Sequence, residues 1–103
     1  MKHIDPDDWK LLCCAILQLE NEEECRAFFE DICTIKEVQD ISQRLRVAAM
    51  LHSGKNYQEI SAATGASTAT ICRVNKCLNY GEGYRCALEK IKADEKESAD
   101  EQC

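Results

Sequence analysis

Asn56 to Leu78 reads NYQEISAATGASTATICRVNKCL, and this stretch parses as two helices joined by a tight turn. Asn56 stands where it caps the first helix, with Glu59 three residues on to reach back to the cap. Ile60 is the buried contact of that helix. Thr64-Gly65-Ala66 forms the turn, where glycine tolerates the left-handed backbone that ends the helix. Ser67 caps the second helix with its side-chain oxygen. Ile71, Val74 and Leu78 recur at spacings of three and four and so share one face. Ser61, Ala62, Ala63 and Ala66 are small, which is expected to let the two helices cross closely. Ala69, Thr70, Arg73 and Lys76 fall on the opposite face. An ordinary helical hairpin shares the glycine turn. The capped second helix and its small, hydroxyl- and base-bearing outer face fit a narrower class, the helix-turn-helix, whose second helix lies in the DNA major groove.

Working outward, the rest of the chain also reads as helix. Asp5-Pro6 opens a first helix, since proline suits the first helical position and Asp caps. Trp9, Leu12, Cys13, Ile16 and Leu17 then recur with helical spacing. A second helix is expected over about 22–32, with Cys25, Phe28, Phe29 and Ile32 as its stripe and an acidic start that suits the helix dipole. Thr34-Ile35-Lys36-Glu37 is a capping box. It opens a third helix carrying Val38, Ile41, Leu45, Ala48, Ala49 and Leu51, which Ser53-Gly54 ends. Asn79 to Gly83 reads as a loop, and 84 to about 91 as a short last helix. From Ala93, ADEKESADEQC is charged and lacks an apolar stripe, so 93–103 is expected to be a disordered tail. The expected domain is 1–92, all-α, with the helix-turn-helix over about 56–78.

The 103 residues suffice for one small domain, and 45% hydrophobic with 31% charged residues is ordinary for a helix-rich chain. No apolar run approaches the ~18 residues needed to cross a membrane, and MKHIDPDDWK lacks a signal-peptide core. The expected location is the cytoplasm. A net charge of −6 looks unsuited to DNA until it is divided along the chain. Residues 1–41 hold four Lys/Arg against eleven Asp/Glu, a net −7. Residues 42–78 hold Arg44, Arg46, Lys55, Arg73 and Lys76 against Glu59, a net +4. Residues 79–103 carry −3. The basic segment coincides with the hairpin, and phosphate contact needs a local basic face rather than a basic whole.

Eight cysteines, Cys13, Cys14, Cys25, Cys33, Cys72, Cys77, Cys86 and Cys103, come without a secretion signal, so a disulfide scaffold is not expected. A zinc site wants close pairs such as C-x₂₋₄-C, and Cys72 and Cys77 would point about 140° apart on one helix. No second pair or histidine cluster completes a set. Most cysteines therefore read as reduced thiols serving as small apolar residues. The chain carries no P-loop and no G-x-G-x-x-G. His52 has no nucleophile that sequence alone can place beside it, and the carboxylate runs sit where helix starts favour negative charge. No enzyme activity and no metal are expected.

SQRLRVAAMLHSGKNYQEISAATGASTATICRVNKCL resembles the Trp repressor superfamily. The longer run DICTIKEVQDISQRLRVAAMLHSGKNYQEISAATGASTATICRVNKCLNYGEGY is similar to its YerC/YecD group of small Trp-repressor-like proteins. The resemblance covers roughly 31–88, and GASTATICRVNKCLNYG is its most specific part. It implies an all-helical, intertwined homodimer and a role in transcription regulation, and supplies neither operator nor ligand. On this basis Trp9, Phe28 and Phe29 are expected to pack against a second subunit rather than behind the hairpin. Two recognition helices would then lie about one DNA turn apart and read a palindrome.

Carried over by position, the resemblance places DNA contacts at Thr68, Ala69, Thr70 and Cys72. Hydroxyls can bond base edges or phosphates, and methyls can pack on a thymine methyl. Ser67, Arg73 and Lys76 extend the same surface. Gln58 and Asn56 start the preceding helix and could hold phosphate. The resembled repressor also binds tryptophan between two arginines, which Arg44 and Arg73 match. Val74 stands where that repressor has the glycine on which the indole lies. Cys77 replaces a serine that bonds the ligand's amine, and a thiol is a poor acceptor. Tryptophan is therefore disfavoured, and any corepressor at Arg44, Arg73 and Cys77 is of unknown identity. The reading is a DNA-binding repressor acting on double-stranded DNA. Its alternatives are a helical module that binds a protein instead, and a regulator switched by oxidation of Cys72 or Cys77.

Overall fold

A computed structural model describes the backbone of residues 3–101 and the side chains of residues 3–95. Among the described residues it contains six α-helices and no strand: α1 (Pro6–Leu17), α2 (Glu22–Ile32), α3 (Ile35–His52), α4 (Tyr57–Thr64), α5 (Thr68–Tyr80) and α6 (Gly83–Glu101). The fold is all-α, as the helical spacing of the apolar residues predicts. The chain divides into two compact units, 1–38 and 39–103.

In the first unit, local capping chemistry explains where the helices start. The first N–H groups of a helix lack partners within it. Asp5 Oδ1 accepts from the N–H of Asp7 at 2.8 Å and of Asp8 at 3.3 Å, and Pro6 brings no N–H to satisfy. Asn21 Oδ1 accepts from Glu24 N at 2.8 Å and so opens α2. At the start of α3, Thr34 Oγ1 accepts from Glu37 N at 3.1 Å while Glu37 Oε1 accepts from Thr34 N at 2.8 Å. The backbone N–H of Thr34, with help from its hydroxyl, holds the Glu37 carboxyl below the usual range. Phe28 and Phe29 meet edge to face at 5.5 Å. Neither α1 nor α2 buries a single residue fully. Leu11 and Leu17 remain more than 70% exposed, and Trp9, Ile16 and Ile32 are also exposed.

The second unit holds the core. Val47, Ala48, Ile60, Ala66, Ile71 and Val74 are buried together, with Met50, Leu51, Tyr57, Tyr84 and Leu88 packed around them. These side chains come from α3, α4, α5 and α6 and, with Ala66, from the turn of the hairpin, so the hairpin is held by the helix before it and the helix after it. Val47 is fully buried although it lies outside the stripe read for this helix, whereas Ile41 and Leu45 within that stripe are exposed. Of the four small hairpin residues, only Ala66 is buried; Ser61, Ala62 and Ala63 are exposed.

The helix boundaries differ from the sequence reading in two places, the loop between α5 and α6 and the end of α6. The expected loop over 79–83 is only Gly81-Glu82, because α5 runs through Tyr80 and α6 begins at Gly83. Asn79 lies within α5, where its side chain donates to Asn75 Oδ1 one turn back at 3.4 Å. The second difference is at the end of α6, which continues past Ile91 to Glu101. The added residues are mostly Ala, Glu and Lys, strong helix formers that extend a helix without an apolar face. Of the expected tail, Gln102 and Cys103 lie outside the described residues.

Candidate nucleic-acid interface

The hairpin is built from local chemistry that the sequence predicts. Asn56 and Glu59 form the expected capping box, with Glu59 N to Asn56 Oδ1 at 2.9 Å and Asn56 N to Glu59 Oε2 at 3.3 Å. Gly65 ends α4 with φ +74°, the left-handed conformation in which a side chain is strained. Its N–H donates to the Ser61 carbonyl at 2.9 Å. The turn is further bound by its own side chains. Thr64 Oγ1 donates to the Ile60 carbonyl at 2.7 Å and accepts from Ala66 N at 3.2 Å, and Ser61 Oγ donates to the Ala66 carbonyl at 3.2 Å.

Helix α5 then presents two distinct faces. Ile71, Val74 and Leu78 are buried. Ser67, Thr68, Ala69, Cys72, Arg73 and Lys76 are exposed, as is Gln58 on α4. Thr70 differs from its neighbours in being only half-exposed. Ser67 Oγ accepts from Thr70 N at 3.2 Å and donates to Thr70 Oγ1 at 3.1 Å. The exposed strip thus has hydroxyls and small side chains near the N-terminus of α5 and cations further along it. No acidic residue occupies its first turn, so no side-chain charge of this turn offsets the positive end of the helix dipole.

Three residues join this region that sequence spacing does not single out. Tyr57, at the start of α4, packs on the core and hydrogen-bonds the side chains of Cys72 and Asn75 on α5. The bond with Cys72 is the main cause pushing the Tyr57 phenol above its ordinary value, helped by burial and by the electrostatic influence of Cys72 and opposed by Asn75. Gln43 on α3 donates from Nε2 to the Thr64 carbonyl at 3.1 Å. Arg85 on α6 donates from Nη2 to the carbonyls of Leu78 at 3.3 Å and Gly81 at 3.1 Å. The contacts of Tyr57, of Gln43 and of Arg85 with Leu78 cross between helices, so no local pattern signals them.

The expected effector residues are spread over two helices. Arg44 lies half-buried on α3, while Arg73 and Cys77 lie exposed on α5. Val74, beside Arg73, is 1% exposed and belongs to the core. The seven described cysteines are all free thiols, and none reaches the buried core. Cys14, Cys72, Cys77 and Cys86 are exposed, and Cys13, Cys25 and Cys33 are half-buried. Cys103 lies outside the described residues. Among the described residues no group of three or more His, Cys, Asp or Glu is arranged to hold a metal ion, and no helix is long and apolar enough to cross a membrane.

Comparison with known proteins places this arrangement. Residues 7–92 match the family model described as Trp repressor protein. The chain is 54% identical over 86 residues to the uncharacterized protein YerC of Bacillus subtilis (strain 168), covering 82% of this chain and 83% of that protein. It also resembles a crystal structure of a candidate Trp repressor from Staphylococcus aureus, with 45% identity and a TM-score of 0.82 over 85% of this chain and 89% of that one. A crystal structure of a TrpR-like protein from Eubacterium eligens ATCC 27750 gives 46% identity and a TM-score of 0.82, over 85% and 92%.

Proposed function

The chain belongs to the Trp repressor family, and from that premise we propose that it is a DNA-binding transcription regulator that reads double-stranded DNA through α5. The observation that carries this reading is the division of α5 into a buried face, Ile71, Val74 and Leu78, and an exposed face, Ser67, Thr68, Ala69, Cys72, Arg73 and Lys76. The first face anchors the helix. The second offers hydroxyls and methyls to base edges and cations to phosphate. Thr70 and Gln58 complete the contact set.

The finer reading is a homodimeric repressor at a palindromic operator. Trp9, Leu11, Ile16, Leu17, Ile32, Ile35, Ile41 and Leu45 are large apolar side chains left exposed on α1 to α3. Exposure of that much apolar surface favours a second copy of the chain as its cover. Two copies also double the basic contacts, which offsets the acidic remainder of the chain. Such a regulator works where the genome is, in the cytoplasm. Val74 fills the space beside Arg73, so tryptophan is not the effector in this reading.

The test is a salt titration of duplex binding. Phosphate contact releases counterions, so log affinity falls linearly with log salt at about −0.9 per neutralised phosphate. Lys76→Ala and Arg73→Ala are each expected to reduce the slope by about two if the binding species is a dimer and about one if it is a monomer. A flat salt response with an intact fold would instead favour a protein partner.

A further inference from the structure

We propose that Gln43 and Arg85 are positioning residues for α5, one acting at each end of it. The inference rests on the DNA-reading role just proposed for that helix. Gln43 comes from α3 and Arg85 from α6, so each flanking helix supplies one clamp.

The last carbonyls of a helix have no donor within it. Thr64 is the final residue of α4, and its half-buried carbonyl takes its partner from Gln43 Nε2 at 3.1 Å. This one bond ties the turn before α5 to α3. At the other end, a single Arg85 nitrogen bridges the Leu78 and Gly81 carbonyls. A cation is well placed there, because the C-terminal end of a helix carries partial negative charge. Charge-assisted hydrogen bonds are also the stronger kind.

Apolar packing alone does not set the orientation of α5 finely. Burial is non-directional, so a small roll or slide on Ile71, Val74 and Leu78 loses little buried area. Hydrogen bonds at both ends are directional and resist that movement. Reading base edges demands placement within about 0.5 Å and 10–20°. Phosphate contact by long, flexible side chains tolerates more. Removing a clamp should therefore lower sequence preference while leaving the general attraction to DNA intact.

The experiment uses the full chain with Gln43→Met, Arg85→Met and Arg85→Lys, against the best duplex from a random pool and a scrambled duplex. Both Met variants are expected to melt cooperatively and to lose about tenfold in the ratio of selected to scrambled affinity, a loss the size of one base contact. Their salt slopes should equal the wild-type slope, and Arg85→Lys should retain part of the preference. An unchanged ratio overturns the proposal. A lower salt slope in Arg85→Met makes Arg85 a phosphate contact and overturns its part. Residual dipolar couplings in DNA-free protein give a second reading, since the clamps predict a changed angle between α3 and α5 in Gln43→Met. An unchanged angle overturns the proposal even if the wild-type chain shows no duplex preference, a result that by itself would count against the DNA reading and not the clamps.

Discussion

Ser67 and Thr70 are joined twice: the Ser67 hydroxyl accepts the Thr70 N–H at 3.2 Å and donates its own proton to Thr70 Oγ1 at 3.1 Å. Thr70 Oγ1 thus has one lone pair engaged and its proton free. A free hydroxyl proton at the N-terminal end of an exposed helix face suits an acceptor such as a phosphate oxygen or a guanine O6 or N7. Thr70→Ala is expected to reduce the preference for the selected duplex by roughly 1–3 kcal/mol, with Thr70→Ser retaining most of it. Competition binding against a scrambled duplex measures this. Equal preference in wild type and Thr70→Ala would move the reading face elsewhere on α5.

The same pair bears on stability. Ser67 satisfies one of the N–H groups that α5 cannot satisfy itself. Ser67→Ala should cost about 1 kcal/mol, whereas Ser67→Asp should retain the cap. For a chain of this size that corresponds to a drop in Tm of about 4–8 °C. Thermal unfolding followed by circular dichroism is the readout, and an unshifted Ser67→Ala melt would show that the cap contributes nothing.

Gly65 and Gly81 are both required, for different physical reasons. A Cβ at Gly65 would meet nothing within 4 Å, but φ is +74°, so only the backbone conformation resists a side chain. At Gly81 the backbone is extended, and a Cβ would lie 2.8 Å from the Cys77 carbonyl oxygen. Gly65→Ala is expected to cost about 1–2 kcal/mol, and Gly65→Asn less, since Asn adopts the left-handed conformation more readily. Gly81→Ala and Gly81→Asn should cost similar amounts, about 1–3 kcal/mol as for an overpacked site, because both bring the same Cβ. Chemical denaturation of the four variants tests the contrast. A rescue by Asn at Gly81 would contradict it.

Val74 links the core to the question of an effector. It is 1% exposed and packs in the cluster with Ile60 and Ile71. Val74→Ala removes two buried methyl groups and should cost about 2 kcal/mol, counting transfer and a residual cavity. Because that volume is filled in the native chain, millimolar tryptophan is expected to leave both Tm and duplex affinity unchanged. A ligand that binds the native state must raise its stability, so a rise in Tm with tryptophan would show that the site is open after all.

The features legible in the sequence are those encoded within one turn of helix. Asp5, Thr34, Asn56 and Ser67 cap as their spacing predicts, because each cap involves residues two or three apart. The buried stripe of α5 follows for the same reason. What the sequence does not disclose is pairing across helices. Gln43 with Thr64 is separated by 21 positions, and Arg85 with Leu78 by seven. The exposed Ile41 and Leu45 repeat as a buried stripe would, and periodicity cannot say which partner covers a face. Gly81 and Gly83 drew the loop too long, since one of them ends α5 and the other begins α6.

Enrichment from a random duplex pool in reducing buffer at moderate salt tests the central claim most directly. A dimer that reads DNA through α5 predicts a two-fold palindrome in the bound fraction, with half-sites about one helical turn apart. Thr70→Ala should blur that palindrome at specific positions. Recovery of no sequence preference by the folded, reduced protein would contradict the account.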